Sequence, residues 1–145
     1  MPVTSEVPDL NHFDLDGAWR VGSRLVQGCR RAQQPVVIAV YLGEQRAFHA
    51  ALPGSSADND SWVERKARVV RRFARSSHEV ELDLARDDAA GFFTAFGLSP
   101  AEYAPSGGAV PIVVRGTMVG VLAVSGLTSA QDHDLAVAAL RAELE

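Results

Sequence analysis

The sequence predicts a mixed α/β (α+β) domain: an antiparallel sheet made of two hairpins, with helices packed against it. Three observations predict this class. Apolar residues recur at helical spacing from Leu15 to Cys29, two pairs of β-rich runs are each joined by a glycine-bearing turn, and helical patterns separate and follow those pairs. A chain of 145 residues, 47% hydrophobic and 22% charged, is of single-domain size and can bury a core without disulfides or a structural metal.

Residues 1–12 contain two prolines and little apolar periodicity, which predicts a flexible lead-in to one domain over residues 13–145. Asp14 or Asp16 can cap a first helix whose stripe is Leu15, Ala18, Trp19, Gly22, Leu25, Val26 and Cys29, ended by Gln33-Gln34-Pro35. Val36–Leu42 and Gln45–Leu52 read as the first hairpin, turning at Gly43-Glu44. Ser61-Trp62-Val63-Glu64 matches a capping box and predicts a helix from Ser61 to Arg75. Val80, Leu82 and Leu84 alternate with Glu79, Glu81 and Asp83, the period of an edge strand or extended arm. Asp87 can cap a helix through Phe96 that stops at Gly97, and Ser99-Pro100 can open a further turn to Tyr103. Ala109–Arg115 and Thr117–Ser125 are nearly continuous in aliphatic residues, so this second hairpin is expected to be covered on both faces. The last helix, Ser129 to Leu144, aligns Leu135, Ala138, Ala139 and Ala142.

Composition excludes several classes. One cysteine, Cys29, leaves no intrachain disulfide framework and no Cys-based zinc site, and its place on the apolar stripe marks a core thiol. The apolar runs around Val36–Val40 and Val119–Val124 are too short to span a membrane, and Met1–Asp14 lacks a signal-peptide pattern, so a cytoplasmic location is expected. The net charge of −4 gives phosphates no global attraction. Arg65, Arg68, Arg72 and Arg75 form a basic stripe without interleaved aromatics, which fits a solvated face or an intersubunit surface better than nucleic acid.

Lys66 is the single lysine of the chain, set among Trp62, Val69, Val70 and Phe73 at apolar helical spacings. Such a residue is a snorkelling lysine at the core edge, a carboxylate clamp, a depressed-pKa base or a Schiff-base nucleophile. His12, His49, His78 and His133 show no H-x-x-x-H or H-E-x-x-H spacing, so no metal site is expected. His49 is either a hydrogen-bonded surface histidine or a ligand-contacting one, an acid/base or a heme-iron ligand. His133 lies between Asp132 and Asp134 in the first turn of the last helix, where the acids complement the macrodipole and a capping role is expected. The loops at Ser106-Gly107-Gly108 and Ser125-Gly126 could turn backbone N–H groups toward an anion.

Two blocks carry a resemblance. The first comprises Phe48-His49-Ala50-Ala51-Leu52-Pro53-Gly54, Asp58-Asn59-Asp60-Ser61-Trp62, Arg65-Lys66, Phe73 and Ser76-Ser77. The second comprises Gly107-Gly108-Ala109-Val110-Pro111-Ile112, Gly116, Val119-Gly120-Val121, Ala123-Val124-Ser125-Gly126-Leu127 and Asp132-His133. From Phe13 to Leu144 the chain resembles a family of small proteins within the heme-degrading domain superfamily, similar to the GlcG and HbpS group. The resemblance implies a profilin-like α-β-α sandwich around a central antiparallel sheet, assembled as a homodimer or higher homo-oligomer. It also implies a small-ligand-binding protein with heme or another anionic small molecule as candidate ligand. The alternatives are an enzyme of heme breakdown or of a small carbonyl or carboxylate substrate, and a ligand-free scaffold or chaperone-associated adaptor. The matching positions are the candidate site residues: His49, Asp58, Asp60, Trp62, Lys66, Ser76, Gly107, Gly108, Ser125 and His133. The site is expected between the second helix and the Gly-Gly strand, completed by a neighbouring subunit.

Overall fold

Five strands, β1 (Asp9–Leu10), β2 (Val37–Leu42), β3 (Gln45–Ala51), β4 (Ala109–Val114) and β5 (Thr117–Ser125), form one sheet in the spatial order β1-β4-β5-β2-β3. A computed structural model describes residues 6–144. The two hairpins meet where β2 pairs antiparallel with β5, Val37 opposite Ser125 and Ala39 opposite Ala123. The β4–β5 turn has Arg115 at φ 49° and Gly116 at φ 80°, two positive values whose twist matches that of the strands they join.

Alternation along the strands sends side chains to two covered faces. On one face Ile38, Val40, Ile112, Leu122 and Val124 pack with Val21 and Leu25 of α1 (Leu15–Arg31) and Val137 and Leu140 of α5 (Ser129–Arg141). On the other, Val37, Ala39, Ala109, Val121 and Ala123 meet Val63, Ala67 and Val70 of α2 (Ala57–Phe73). The result is the expected sandwich of helix, sheet and helix, with the sheet antiparallel throughout the two hairpins and one short parallel strand, β1, at its edge. A smaller cluster of Val69, Val80, Ala85 and Phe92 joins α2 to α3 (Ser77–Val80), a π-helical turn at Glu81–Ala85 and α4 (Ala89–Phe96).

Several expectations need correction. The lead-in over residues 1–12 is structured at its end, because Asp9–Leu10 pairs parallel with Val113–Val114 and Leu10 is buried. Residues 1–5 of that lead-in lie outside the described residues. The second helix begins earlier than Ser61: the capping box is Ser56 with Asn59, whose side chain accepts from the Ser56 N–H at 2.9 Å, while Ser61 Oγ accepts from Arg65. It ends at Phe73, where Ala74 takes φ 54°.

The expected edge strand at Val80–Leu84 is helical. Ser76 Oγ accepts from the Glu79 N–H at 3.1 Å and starts α3, and Val80 and Ala85, five residues apart, turn together into the aromatic cluster. That spacing matches the i→i+5 hydrogen-bond step of a π-helix, and Leu82 and Leu84 are left exposed. Asp88, not Asp87, caps α4 through the Gly91 N–H at 2.9 Å. In α1, Leu15 and Trp19 are exposed and Val21 takes the inward position. In α5 the buried stripe is Ala136, Val137, Ala139 and Leu140, with Ala138 facing solvent.

Candidate functional site

Val63, Lys66 and Val70 recur at three- and four-residue steps of α2, so the stripe that packs Val63 and Val70 on the sheet also carries Lys66 inward. The residue is 4% exposed. Its Nζ donates to the Val124 carbonyl at 3.1 Å and to Asp132 Oδ2 at 3.2 Å. Asp132, 1% exposed, also accepts from the N–H groups of Gly126 at 3.3 Å and Leu127 at 3.0 Å. Thr128 and Gln131 cap α5 reciprocally, which fixes the first turn that presents Asp132. The carboxylate therefore ties the end of β5, the start of α5 and the middle of α2 together.

Burial dominates the electrostatics of this pair. Loss of water pushes the Lys66 ammonium below its ordinary 10.5 despite the attraction of Asp132. The same cause raises the Asp132 carboxyl above its ordinary 3.8, against the pull of Lys66 and of the two backbone donors. Both shifts move the pair toward its uncharged form.

A cavity of about 250 Å³ opens over the pair, between α2, the segment before β4 and the N-terminal end of α5. Its wall carries the hydroxyls of Ser106, Ser125 and Ser129, the Asn59 amide and the Trp62 ring. Gly108 lies behind it at φ 136°, and a Cβ there would come within 2.7 Å of Lys66 Nζ and would collide with the Val124 carbonyl. A second groove of about 430 Å³ shares Trp62 and Ser106 with the first and continues past Arg65, Arg86, Phe93 and Tyr103. Arg65 stacks its guanidinium 4.2 Å from the Trp62 ring at that boundary.

Of the ten sequence candidates, Trp62, Lys66 and Ser125 line the cavity and Gly108 backs it. Gly107 packs against the Ser129 backbone and donates its N–H to Glu81 at 3.0 Å. His49 and Asp60 form their own exposed pair, Nε2 to Oδ1 at 2.6 Å, and line neither cavity. Asp58 is an exposed first-turn acid of α2, and Ser76 is spent on capping α3. His133 does not cap α5: it is 2% exposed, stacks on His78 at 4.7 Å and reaches Glu6 at 2.7 Å. Asp132, Asn59 and Ser129 are not among the sequence candidates, and Ser106 entered only as part of a loop that could face an anion. Asp132 stood in the matching Asp132-His133 pair, but a first-turn acid is accounted for by the helix dipole, which masked its tie to Lys66.

Among the described residues no group of three or more His, Cys, Asp or Glu side chains comes together to hold a metal ion. The two cavities offer no histidine, cysteine or methionine to a heme iron; Tyr103 is the one side chain of axial-ligand type on either wall. A hydroxyl-lined cavity with a buried amine suits a ligand smaller than heme. Also among the described residues, no helix is long and apolar enough to cross a membrane.

The family described as "Haem degrading protein HbpS-like" matches residues 13–141. The chain belongs to the HbpS-like family. A UPF0303 protein of Streptomyces avermitilis is 46% identical over 132 residues, which cover 90% of this chain and 80% of the relative. The crystal structure of Ybr137w protein superposes with a TM-score of 0.82 at 27% identity, over 94% of this chain and 83% of that one. A crystal structure of a PduOC:heme complex superposes with a TM-score of 0.71 at 20% identity, over 86% and 89% of the two chains, a likeness of fold.

Proposed function

We propose that this HbpS-like protein is a cytoplasmic homo-oligomer that binds a small anionic molecule, a carboxylate above all, in the cavity over Lys66. One observation carries the reading: a buried lysine that uses two N–H donors on Val124 and Asp132 stands at the edge of a cavity lined by three serine hydroxyls and an amide. An ammonium has three donors, so one is left for a ligand oxygen. The Trp62 ring adds an apolar wall, and Arg65 adds positive charge where the cavity meets the second groove. A neighbouring subunit would complete the cavity's rim.

Heme is the second reading, supported by the heme complex of PduOC and by Arg65, Arg86 and Tyr103 along the larger groove. Calorimetric titration with a panel of small carboxylates, an absorbance titration with hemin and native mass determination of each sample test both. Saturable carboxylate binding lost in Lys66→Met supports the first reading. A saturable Soret shift lost in Tyr103→Phe, with no carboxylate heat, replaces it by the second. Breakdown of hemin in the presence of a reductant would make the protein an enzyme. Absence of every ligand signal together with a co-purifying protein would favour an adaptor.

A further inference from the structure

We propose that Lys66 is a covalent site: its amine forms a Schiff base with a small aldehyde or 2-oxo acid held in the cavity. The proposal rests on the cavity being the ligand site and goes beyond it by assigning a reaction and a carbonyl-bearing class of ligand.

Three features of the geometry lead there. First, Nζ is held by hydrogen bonds to Val124 and Asp132 at the wall of an open cavity, so the lysine is withdrawn from bulk water and still reachable by a small molecule. A lysine that served packing alone would need no space in front of it. Second, Gly108 lets the strand backbone pack close behind Nζ, since a Cβ there would meet the Val124 carbonyl and then Nζ itself, and so Nζ is held at the cavity wall. Third, Asp132 lies 3.2 Å from Nζ and is oriented by the Gly126 and Leu127 N–H groups, so a carboxyl group that can give and take a proton is fixed beside the nucleophile. Desolvation favours the uncharged amine, the form that attacks a carbonyl.

The step balances without a cofactor. The Nζ lone pair attacks the carbonyl carbon, and the C=O π pair moves to oxygen, which takes the proton that Asp132 carries in the uncharged pair. Asp132 receives the proton that nitrogen sheds as the carbinolamine forms. It returns that proton to the hydroxyl as the C–O bond breaks, water leaves and the C=N bond closes, and it then takes the last N–H proton, which leaves the neutral imine and restores the acid. One amine and one carbonyl give one imine and one water, with no change of oxidation state. The serine hydroxyls at positions 106, 125 and 129 are suited to the carboxylate or hydroxyl of such a ligand.

Because Lys66 is the single lysine, the chain has one ε-amine to report. The experiment incubates the full chain, carrying Trp19→Phe so that Trp62 is the sole tryptophan, with glyoxylate or pyruvate and sodium cyanoborohydride. Intact mass and peptide mapping follow the adduct. The proposal expects one reduced adduct at Lys66, formed faster in the folded than in the urea-unfolded chain, because burial lowers the Lys66 ammonium below its ordinary value. Asp132→Asn is expected to slow trapping, and Lys66→Arg to abolish it. Labelling confined to the chain's α-amino group, or labelling of Lys66 no faster when folded, overturns the proposal in the parent chain whether or not either variant folds. Glycolate and lactate, which lack the reactive carbonyl, separate the two levels. If they quench Trp62 while no adduct forms, the Schiff base is wrong and the binding site stands. If neither quenching nor trapping occurs, both fail.

Discussion

The two faces of the sheet are packed with different side chains. Toward α1 and α5 the strands present Ile38, Val40, Ile112, Leu122 and Val124; toward α2 they present Val37, Ala39, Ala109, Val121 and Ala123. The first face is filled by branched aliphatics from both sides. On the second, three alanines of the sheet meet Ala67 of the helix, and small residues let α2 lie close to the strands. Where that face runs out, at the end of β5, the interior turns polar and contains Lys66, Ser125 and Asp132. One face is built for cohesion, whereas the other gives up apolar volume at one end to hold an ion pair beside a cavity.

Breaking the pair tests that contrast most severely. Lys66→Met leaves the Asp132 carboxylate buried without its cation and is expected to cost about 3–5 kcal/mol, read by urea denaturation. Lys66→Met with Asp132→Asn removes both charges, and recovery of most of that loss would mark the pair as costly to stability and retained for another purpose. If the double variant stays as unstable as the single, the pair is a structural brace. On the cohesive face, Leu122→Ala is expected to cost about 2–5 kcal/mol and to leave ligand-induced quenching of Trp62 unchanged. Loss of that response would mean that the two faces are coupled. Thr128→Ala removes the cap that sets the first turn of α5 and is expected to cost about 1 kcal/mol, measurable as a lowered denaturation midpoint.

The finest comparison is the pH dependence of stability in the parent chain relative to the double variant. Lys66 has its folded value lowered, so the unfolded chain binds more protons as pH approaches 10.5 from below, and the parent gains stability as pH rises through that window. Asp132 has its folded value raised, so its contribution is greatest below pH 3.8 and is lost as pH climbs through the folded value. A difference curve without the alkaline rise would show that burial does not dominate Lys66.

Local pattern made the hairpins legible: β-branched runs, a glycine at each turn and uninterrupted aliphatic content state both the strands and their double coverage. The stretch from Ser76 to Ala85 was not legible, because alternating acids and leucines mimic a strand. Here the acids have tertiary partners: Glu81 accepts from Gly107, and Asp83 pairs with Arg75. At the site, Lys66 stood out by being the single lysine on an apolar stripe, whereas Asp132 is 66 residues away and is paired by the fold alone. His49 fitted the sequence pattern equally well, yet its partner Asp60 lies eleven residues on and holds it at the surface.

Cys29 is 1% exposed against the cohesive face, and its thiol is pushed up by burial. Because the chain has no second cysteine, a thiol-directed reagent has a single target, shielded while α1 rests on the sheet. The rate at which that thiol is modified in native buffer thus measures how often the first helix lifts away. Local opening of the side opposite α2 can be timed without any engineered label.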